Sequence, residues 1–159
     1  MNTKVSEIME KDVYFCHVSS TIGDVLEIMV EKKVSGLPIV DDNSHVVGFI
    51  SDGDIMKYIG KQRPRTVDAY TYMFILYDEK SFEQKIEDLI NLNVMSIATK
   101  KVVSVKASSA LDEAANILGD KKIKLAPVVV DDKLVGIISR STITRYIVGN
   151  YLRIRKTAK

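Results

Sequence analysis

The sequence predicts an α/β (α+β) fold: two β-α-β-β-α repeats packed as a pseudo-twofold module, with a partly helical insert between them. Three observations carry this. The chain matches itself at an offset of 89 residues. Within each copy, short β-branched runs alternate with segments of helical periodicity. A hairpin with one helix before and one after is too small to bury both its faces alone, so the copies must pack sheet to sheet to complete a core.

In the self-match Val5 falls on Val94, Ile8 on Ile97, Lys11 on Lys100 and Val13 on Val102. Ser19-Ser20 falls on Ser108-Ser109, Lys32-Lys33 on Lys121-Lys122, and Pro38 on Pro127. A turn shorter by one residue then changes the offset to 88, which brings Val47-Gly48 onto Val135-Gly136, Ile50-Ser51 onto Ile138-Ser139, and Tyr58-Ile59 onto Tyr146-Ile147. The ordered match sets the boundaries: first repeat 1–60, insert 61–92, second repeat 93–149, basic tail 150–159.

Each copy opens with a short strand, Val13 to Cys16 and Val102 to Val105. Ser20 or Thr21, and Ser108 or Ser109, then cap a helix. The helices carry Ile22, Val25, Leu26 and Met29 in one copy, and Leu111, Ala114, Ala115 and Leu118 in the other, at helical spacing. Next come Leu37 to Val40 and Ala126 to Val130, β-branched strands that a proline enters only at an edge or a start. Asp41 to Ser44 and Asp131 to Lys133 are tight turns. The return strands are Val46 to Ile50 and Leu134 to Ile138, with a second helix after Ser51 and after Ser139. In the insert, Gln62-Arg63-Pro64-Arg65 breaks the chain, and Thr71 to Tyr77 reads as a strand or a helix end. Ser81-Phe82-Glu83-Gln84 starts a helix with apolar positions at Phe82, Ile86, Leu89 and Ile90.

Composition excludes several classes of function. A net charge of +2 and no interleaving of aromatic and basic residues set nucleic acid aside. The single Cys16 excludes an internal disulfide and a cysteine-rich metal site, and reads as buried filler. His17 and His45 have no acid or base partner at sequence spacing, and no protein-made metal site is expected. No nucleophile–base pair or Walker loop is present, so catalysis is not expected. The N-terminus lacks a signal-type apolar run and no stretch reaches a membrane span, so the expected location is cytoplasmic, without membrane insertion. The Lys32-Lys33 and Lys121-Lys122 pairs suit helix C-termini. The tail, with four cations and no acid, reads as mobile, though Tyr151, Leu152 and Ile154 could extend the last helix into a dimer contact.

These segments resemble a tandem pair of CBS domains, the cystathionine-β-synthase-type repeats that pack as a Bateman module. The likeness rests on Gly36-Leu37-Pro38-Ile39-Val40-Asp41 and Val47-Gly48-Phe49-Ile50-Ser51-Asp52-Gly53-Asp54 in copy one. In copy two it rests on Ala126-Pro127-Val128-Val129-Val130-Asp131 and Leu134-Val135-Gly136-Ile137-Ile138-Ser139. It covers about 5–59 and 94–148. The resemblance implies a regulatory module that binds an adenosine-containing ligand between the repeats. AMP, ADP, ATP, S-adenosylmethionine and cyclic dinucleotides are the family's ligands, and some members have none known. It also implies a homodimer and an effector protein as partners.

The resemblance further implies a ribose-phosphate signature at Gly48, Ser51 and Asp54. Free N–H groups at the helix start would receive phosphate, and the carboxylate would receive the ribose hydroxyls. Ser51 and Asp54 equally suit a capping box. Copy two keeps Gly136 and Ser139 but has Thr142 in place of the acid, so two equivalent sites are not expected. Arg140 either meets a phosphate or is solvated. The implied base pocket is Lys11, Val13, Tyr14, Gly36, Leu37 and Pro38 in copy one, and Lys100, Val102, Val103, Leu125, Ala126 and Pro127 in copy two. The competing function is a ligand-free interaction module, with Tyr72, Phe74 and Tyr77 of the insert filling a cleft or forming a partner surface.

Overall fold

The computed structural model describes residues 3–60, the backbone of 65–69 and 72–76, and residues 80–152. The first half contains α1 (Val5–Ile8), β1 (Cys16–His17), α2 (Ile22–Lys32), β2 (Gly36–Val40), β3 (Val46–Ser51) and α3 (Asp52–Gly60). The insert contains an antiparallel pair, β4 (Arg65–Ala69) and β5 (Tyr72–Leu76), then α4 (Phe82–Ile90). After a 3-10 turn at Val94–Ser96 come β6 (Val105–Lys106), α5 (Leu111–Asp120), β7 (Leu125–Val130), β8 (Lys133–Ser139) and α6 (Arg140–Ile147). A π-helical turn, Val148–Leu152, extends α6. Of the expected break at 62–65, only Arg65 is described, as the first residue of β4; residues 62–64, Tyr77, the side chains of Tyr72 and Phe74, and tail residues 153–159 lie outside the described residues.

Both repeats form a three-stranded sheet of the same plan: a parallel pair (β1–β2, β6–β7) and an antiparallel hairpin (β2–β3, β7–β8). The register slips at the same place in each, between Ile39 and Val40 and between Val128 and Val129. The opening strands are shorter and later than the sequence suggests, because β1 pairs only with Ile39 and Val40. The Val40 carbonyl faces β1, since it accepts from Val18 N (3.0 Å), so Pro38, two residues back, turns the same way. Proline has no N–H to donate there, and the ladder stops. Cys16 Sγ, 3.8 Å from the Pro38 carbonyl, fills the gap.

Thr21 caps α2 in a reciprocal box with Asp24: Asp24 N donates to Thr21 Oγ1 (3.2 Å) and Thr21 N to the Asp24 carboxylate (2.8 Å). Ser81 and Gln84 start α4 in the same way. On that helix Leu89 is fully buried and Ile86 partly so, while Phe82 and Ile90 face outward. α5 departs from expectation, since its cap position is Ala110 and neither Ser108 nor Ser109. Its first N–H, of Leu111, instead donates to the Thr3 carbonyl (2.9 Å).

That bond is one of a crossed set. Val5 N donates to Ser109 O, and Ser6 N to Ala107 O. In mirror fashion Val94 N donates to Ser20 O, and Ile22 N to Leu92 O. The segment that opens each sequence repeat therefore packs on the other repeat. The result is two buried clusters rather than one shared core. Leu89 and Val94 complete the cluster of Ile22, Val25, Leu37, Ile39, Ile50 and Ile55. Val5 completes the cluster of Val105, Ala114, Leu118, Ala126, Val128 and Ile138.

The hairpin turns also meet: Val46 N donates to Asp132 O (3.1 Å) and Leu134 N to Ser44 O (3.0 Å). Both histidines gather at this end, and each has the acid partner that sequence spacing did not reveal. His17 Nε2 lies 2.8 Å from Asp42 and its Nδ1 2.7 Å from the Ser19 hydroxyl, while His45 Nδ1 lies 3.3 Å from Asp41. Burial works to raise the Asp41 carboxyl, but the N–H groups of His45 and Asn43 and the His45 ring hold it below its ordinary value.

Candidate functional site: the cleft between the repeats

β3 ends at Ser51 and α3 begins at Asp52. The Asp54 carboxylate oxygen Oδ2 accepts from Ser51 N (3.0 Å) and Ser51 Oγ (3.0 Å), and Asp54 N donates back to Ser51 Oγ (3.2 Å). Asp52 N donates to the Ser35 carbonyl (2.9 Å), and Gly53 N to the Asp52 carboxylate (2.7 Å). The N–H groups of Ser51 to Asp54 are therefore all engaged, contrary to the expectation that free ones await a phosphate. Two acids at a helix start satisfy the dipole themselves and repel a second anion. Asp54 keeps its other oxygen, Oδ1, free of hydrogen bonds to the described residues.

A cavity of about 390 Å³ opens beside this helix start. The first repeat contributes Ser35, Gly36, Phe49 and the stretch Ser51 to Asp54. The second contributes Thr99, Lys101, Val102, Val103, Ile123, Lys124, Leu125 and Pro127. A Cβ at Gly36 would come 2.8 Å from two atoms of the Phe49 ring, so a larger residue there would displace the ring. Val102, Val103, Leu125 and Phe49 form an apolar wall. Lys101 and Lys124 bring two cations to the same cavity as Asp52 and Asp54.

Of the sequence-derived candidates, Gly36, Ser51, Asp54, Val102, Val103, Leu125 and Pro127 line this cavity. The grouping differs from the one read copy by copy. Ser51 and Asp54 of the first repeat share the cavity with the opening segment of the second, as the crossed segments require. Leu37 and Ala126 are wholly buried, one in each core, and Pro38 is buried in β2. Lys11, Tyr14 and Lys100 are exposed and Val13 is half-buried, all outside this cavity. Tyr14 stacks under Lys32, whose Nζ lies 5.6 Å from the ring centre. The Arg140 guanidinium donates to the Leu118 carbonyl (2.8 Å), which ties it to α5.

Ser139 and Thr142 sit at the corresponding helix start in the second repeat. Thr142 N donates to Ser139 Oγ (3.1 Å), and the two hydroxyls are 2.8 Å apart. The buried Thr142 hydroxyl also donates to the Glu10 carboxylate (2.9 Å).

Sequence reasoning missed Lys101, Lys124, Phe49, Asp52 and Thr99. The crossing of the opening segments brings Thr99 and Lys101 to Asp54, and nothing in a self-match says which copy a segment packs on. Cys16 is buried and its thiol is pushed up to about 11, by burial first and then by the negative charge of Asp24, which fits an inert core position. Among the described residues no helix is long and apolar enough to cross a membrane. No group of three or more His, Cys, Asp or Glu among them is placed to hold a metal.

Comparison with known proteins agrees with this architecture. CBSX2, a chloroplastic CBS domain-containing protein of Arabidopsis thaliana, is 33% identical over 132 residues, covering 80% of this chain and 55% of its own length. CBSX1 of the same plant is 29% identical over 147 residues, covering 89% and 62%. This chain thus spans little more than half the length of these relatives. The crystal structure of CBSX2 in complex with AMP superimposes with a TM-score of 0.70 at 28% identity, over 92% of this chain and 96% of that one. A family model for the CBS domain matches residues 5–61 and again 94–149. With two matched repeats and the same paired architecture, the chain belongs to the CBS domain family.

Proposed function

We propose that the cleft beside Asp54 binds an adenine nucleotide, with AMP the best-supported occupant, and that the chain acts as a regulatory module rather than an enzyme. One observation carries the reading. Asp54 divides its carboxylate, with Oδ2 holding the helix cap and Oδ1 left to accept from ribose hydroxyls at the mouth of an apolar cavity. Capping and ligand binding are then compatible roles of one side chain. Val102 and Val103 offer walls and backbone edges to adenine. Lys101 and Lys124 take the phosphate, a task the occupied N–H groups of α3 cannot perform. The AMP complex of CBSX2 supports the choice of ligand.

The cavity sets two lysines against two aspartates. That balance suits a monophosphate better than a triphosphate, whose extra charge would meet Asp52 and Asp54. AMP favours one relative arrangement of the repeats, and a partner protein reads it; the size of the effect is set by the difference in affinity between the arrangements. The chain works as a homodimer. Ile147, Tyr151 and Leu152, about half exposed at the end of α6, supply apolar contact area.

Isothermal titration with AMP, ADP, ATP and adenosine tests the ligand. Micromolar AMP binding, weaker ATP binding and a marked weakening of both in Asp54→Ala are expected. Silence across the panel from folded, nucleotide-free protein would favour the ligand-free interaction module instead.

A further inference from the structure

Phe49 is a large apolar side chain that neither buried cluster uses. Its neighbours on β3, Gly48 and Ile50, are buried, whereas Phe49 itself is half-buried. Alternation along the strand turns its ring to the other face. There it lines the cavity, the only aromatic side chain among the described residues that do so. Its backbone is fixed on both edges, by two hydrogen bonds with Thr99 (2.9 Å each way) and by pairing with Pro38 across the hairpin.

A missing side chain seats the ring. Gly36 lies on β2 two residues before Pro38, on the diagonal from Phe49. A Cβ at 36 would come 2.8 Å from ring atoms Cε1 and Cζ, and 3.3 Å from the Ile50 carbonyl oxygen. The ring therefore rests on bare Gly36 backbone. The self-match puts Leu125 at the position of Gly36 and Ile137 at that of Phe49. The second repeat thus carries two branched aliphatic side chains where the first carries a glycine and a ring. An aliphatic pair fills space, while a ring offers a flat face to a planar base. Val102, Val103 and Leu125 line the same cavity and give such a base aliphatic contact as well.

We propose that Phe49 selects the base: its ring stacks on a purine in this cleft, and Gly36 is the positioning residue that seats the ring. This rests on the reading of the cleft as a nucleotide site. Titration with AMP and with CMP isolates the base, because both carry the same ribose and phosphate and so offer the same groups to Asp54, Lys101 and Lys124. Wild type should bind AMP about tenfold tighter than CMP, since the larger base stacks over more area. Phe49→Ile, which carries the second repeat's residue, should weaken AMP by about tenfold and CMP by less, closing most of that gap. Gly36→Ala should weaken AMP on its own and add little to Phe49→Ile. An unchanged ratio of AMP to CMP affinity in folded Phe49→Ile overturns the proposal, and equal losses from Gly36→Ala with and without the ring overturn the positioning role. If Phe49→Ile does not fold, the wild-type protein decides by nuclear Overhauser contacts. Contacts between the Phe49 ring protons and adenine H2 or H8 are expected, and their absence from bound AMP rejects the stack. Wild type that binds AMP and CMP equally rejects this proposal alone, whereas wild type that binds neither rejects the nucleotide reading with it.

Discussion

Ser51 and Ser139 hold equivalent places, each closing a hairpin and capping the helix that follows. Three residues on, the repeats part. Asp54 turns one oxygen to the cap and leaves one for the cavity, whereas Thr142 spends its hydroxyl on Ser139 and Glu10. Shared sequence built both scaffolds, and acid and alcohol changed places at two corresponding positions, Asp54 against Thr142 and Glu10 against Thr99. Duplication therefore makes symmetric cores more readily than symmetric sites. A core needs only volume and apolarity, while a site needs a particular unpaired group.

The difference can be broken from either side. The largest expected effect is on Asp54→Ala, which should weaken AMP by about 100-fold, as loss of charge-assisted hydrogen bonds does. It should cost only about 1 kcal/mol of stability through the lost cap, read by chemical denaturation. Thr142→Ala should leave AMP affinity unchanged. Next come the crossing valines, both fully buried. Val94→Ala and Val5→Ala should each destabilise by about 2 kcal/mol. Hydrogen exchange should rise in β1–β3 for the first and in β6–β8 for the second, the reverse of what sequence order suggests.

Smaller still, Lys124→Ala should weaken AMP by about tenfold and leave adenosine binding untouched, by titration. The smallest effect concerns Cys16. Its thiol is raised in the fold from 9.0 to about 11, so the folded state holds the proton that the unfolded chain releases. Stability from this group is complete below pH 9.0 and is lost as pH rises towards 11. The loss by pH 10 is about 1 kcal/mol and should vanish in Cys16→Ala.

Much of the fold was legible, because the repeat placed helix on helix and hairpin on hairpin, and Thr21, Ser81 and the Asp-rich turns announced themselves by local chemistry. What was not legible depends on contacts between distant segments. Ala110 starts α5 because Thr3 supplies a carbonyl. β1 begins late because of the orientation of Pro38 in the neighbouring strand. The motifs named Ser51, Asp54, Val102 and Pro127, which the fold brings to one cavity. They did not name Lys101 or Lys124, since Lys101 reaches that cavity only because the opening segment of the second repeat crosses to the first.

The most direct measurement is a crystal structure of the wild-type chain grown with AMP. The account predicts adenine against Val102 and Val103, both ribose hydroxyls about 2.6–3.0 Å from Asp54, and phosphate beside Lys101 or Lys124. AMP seated against Thr142 instead, or AMP in the first cleft with no contact to Asp54, would contradict it.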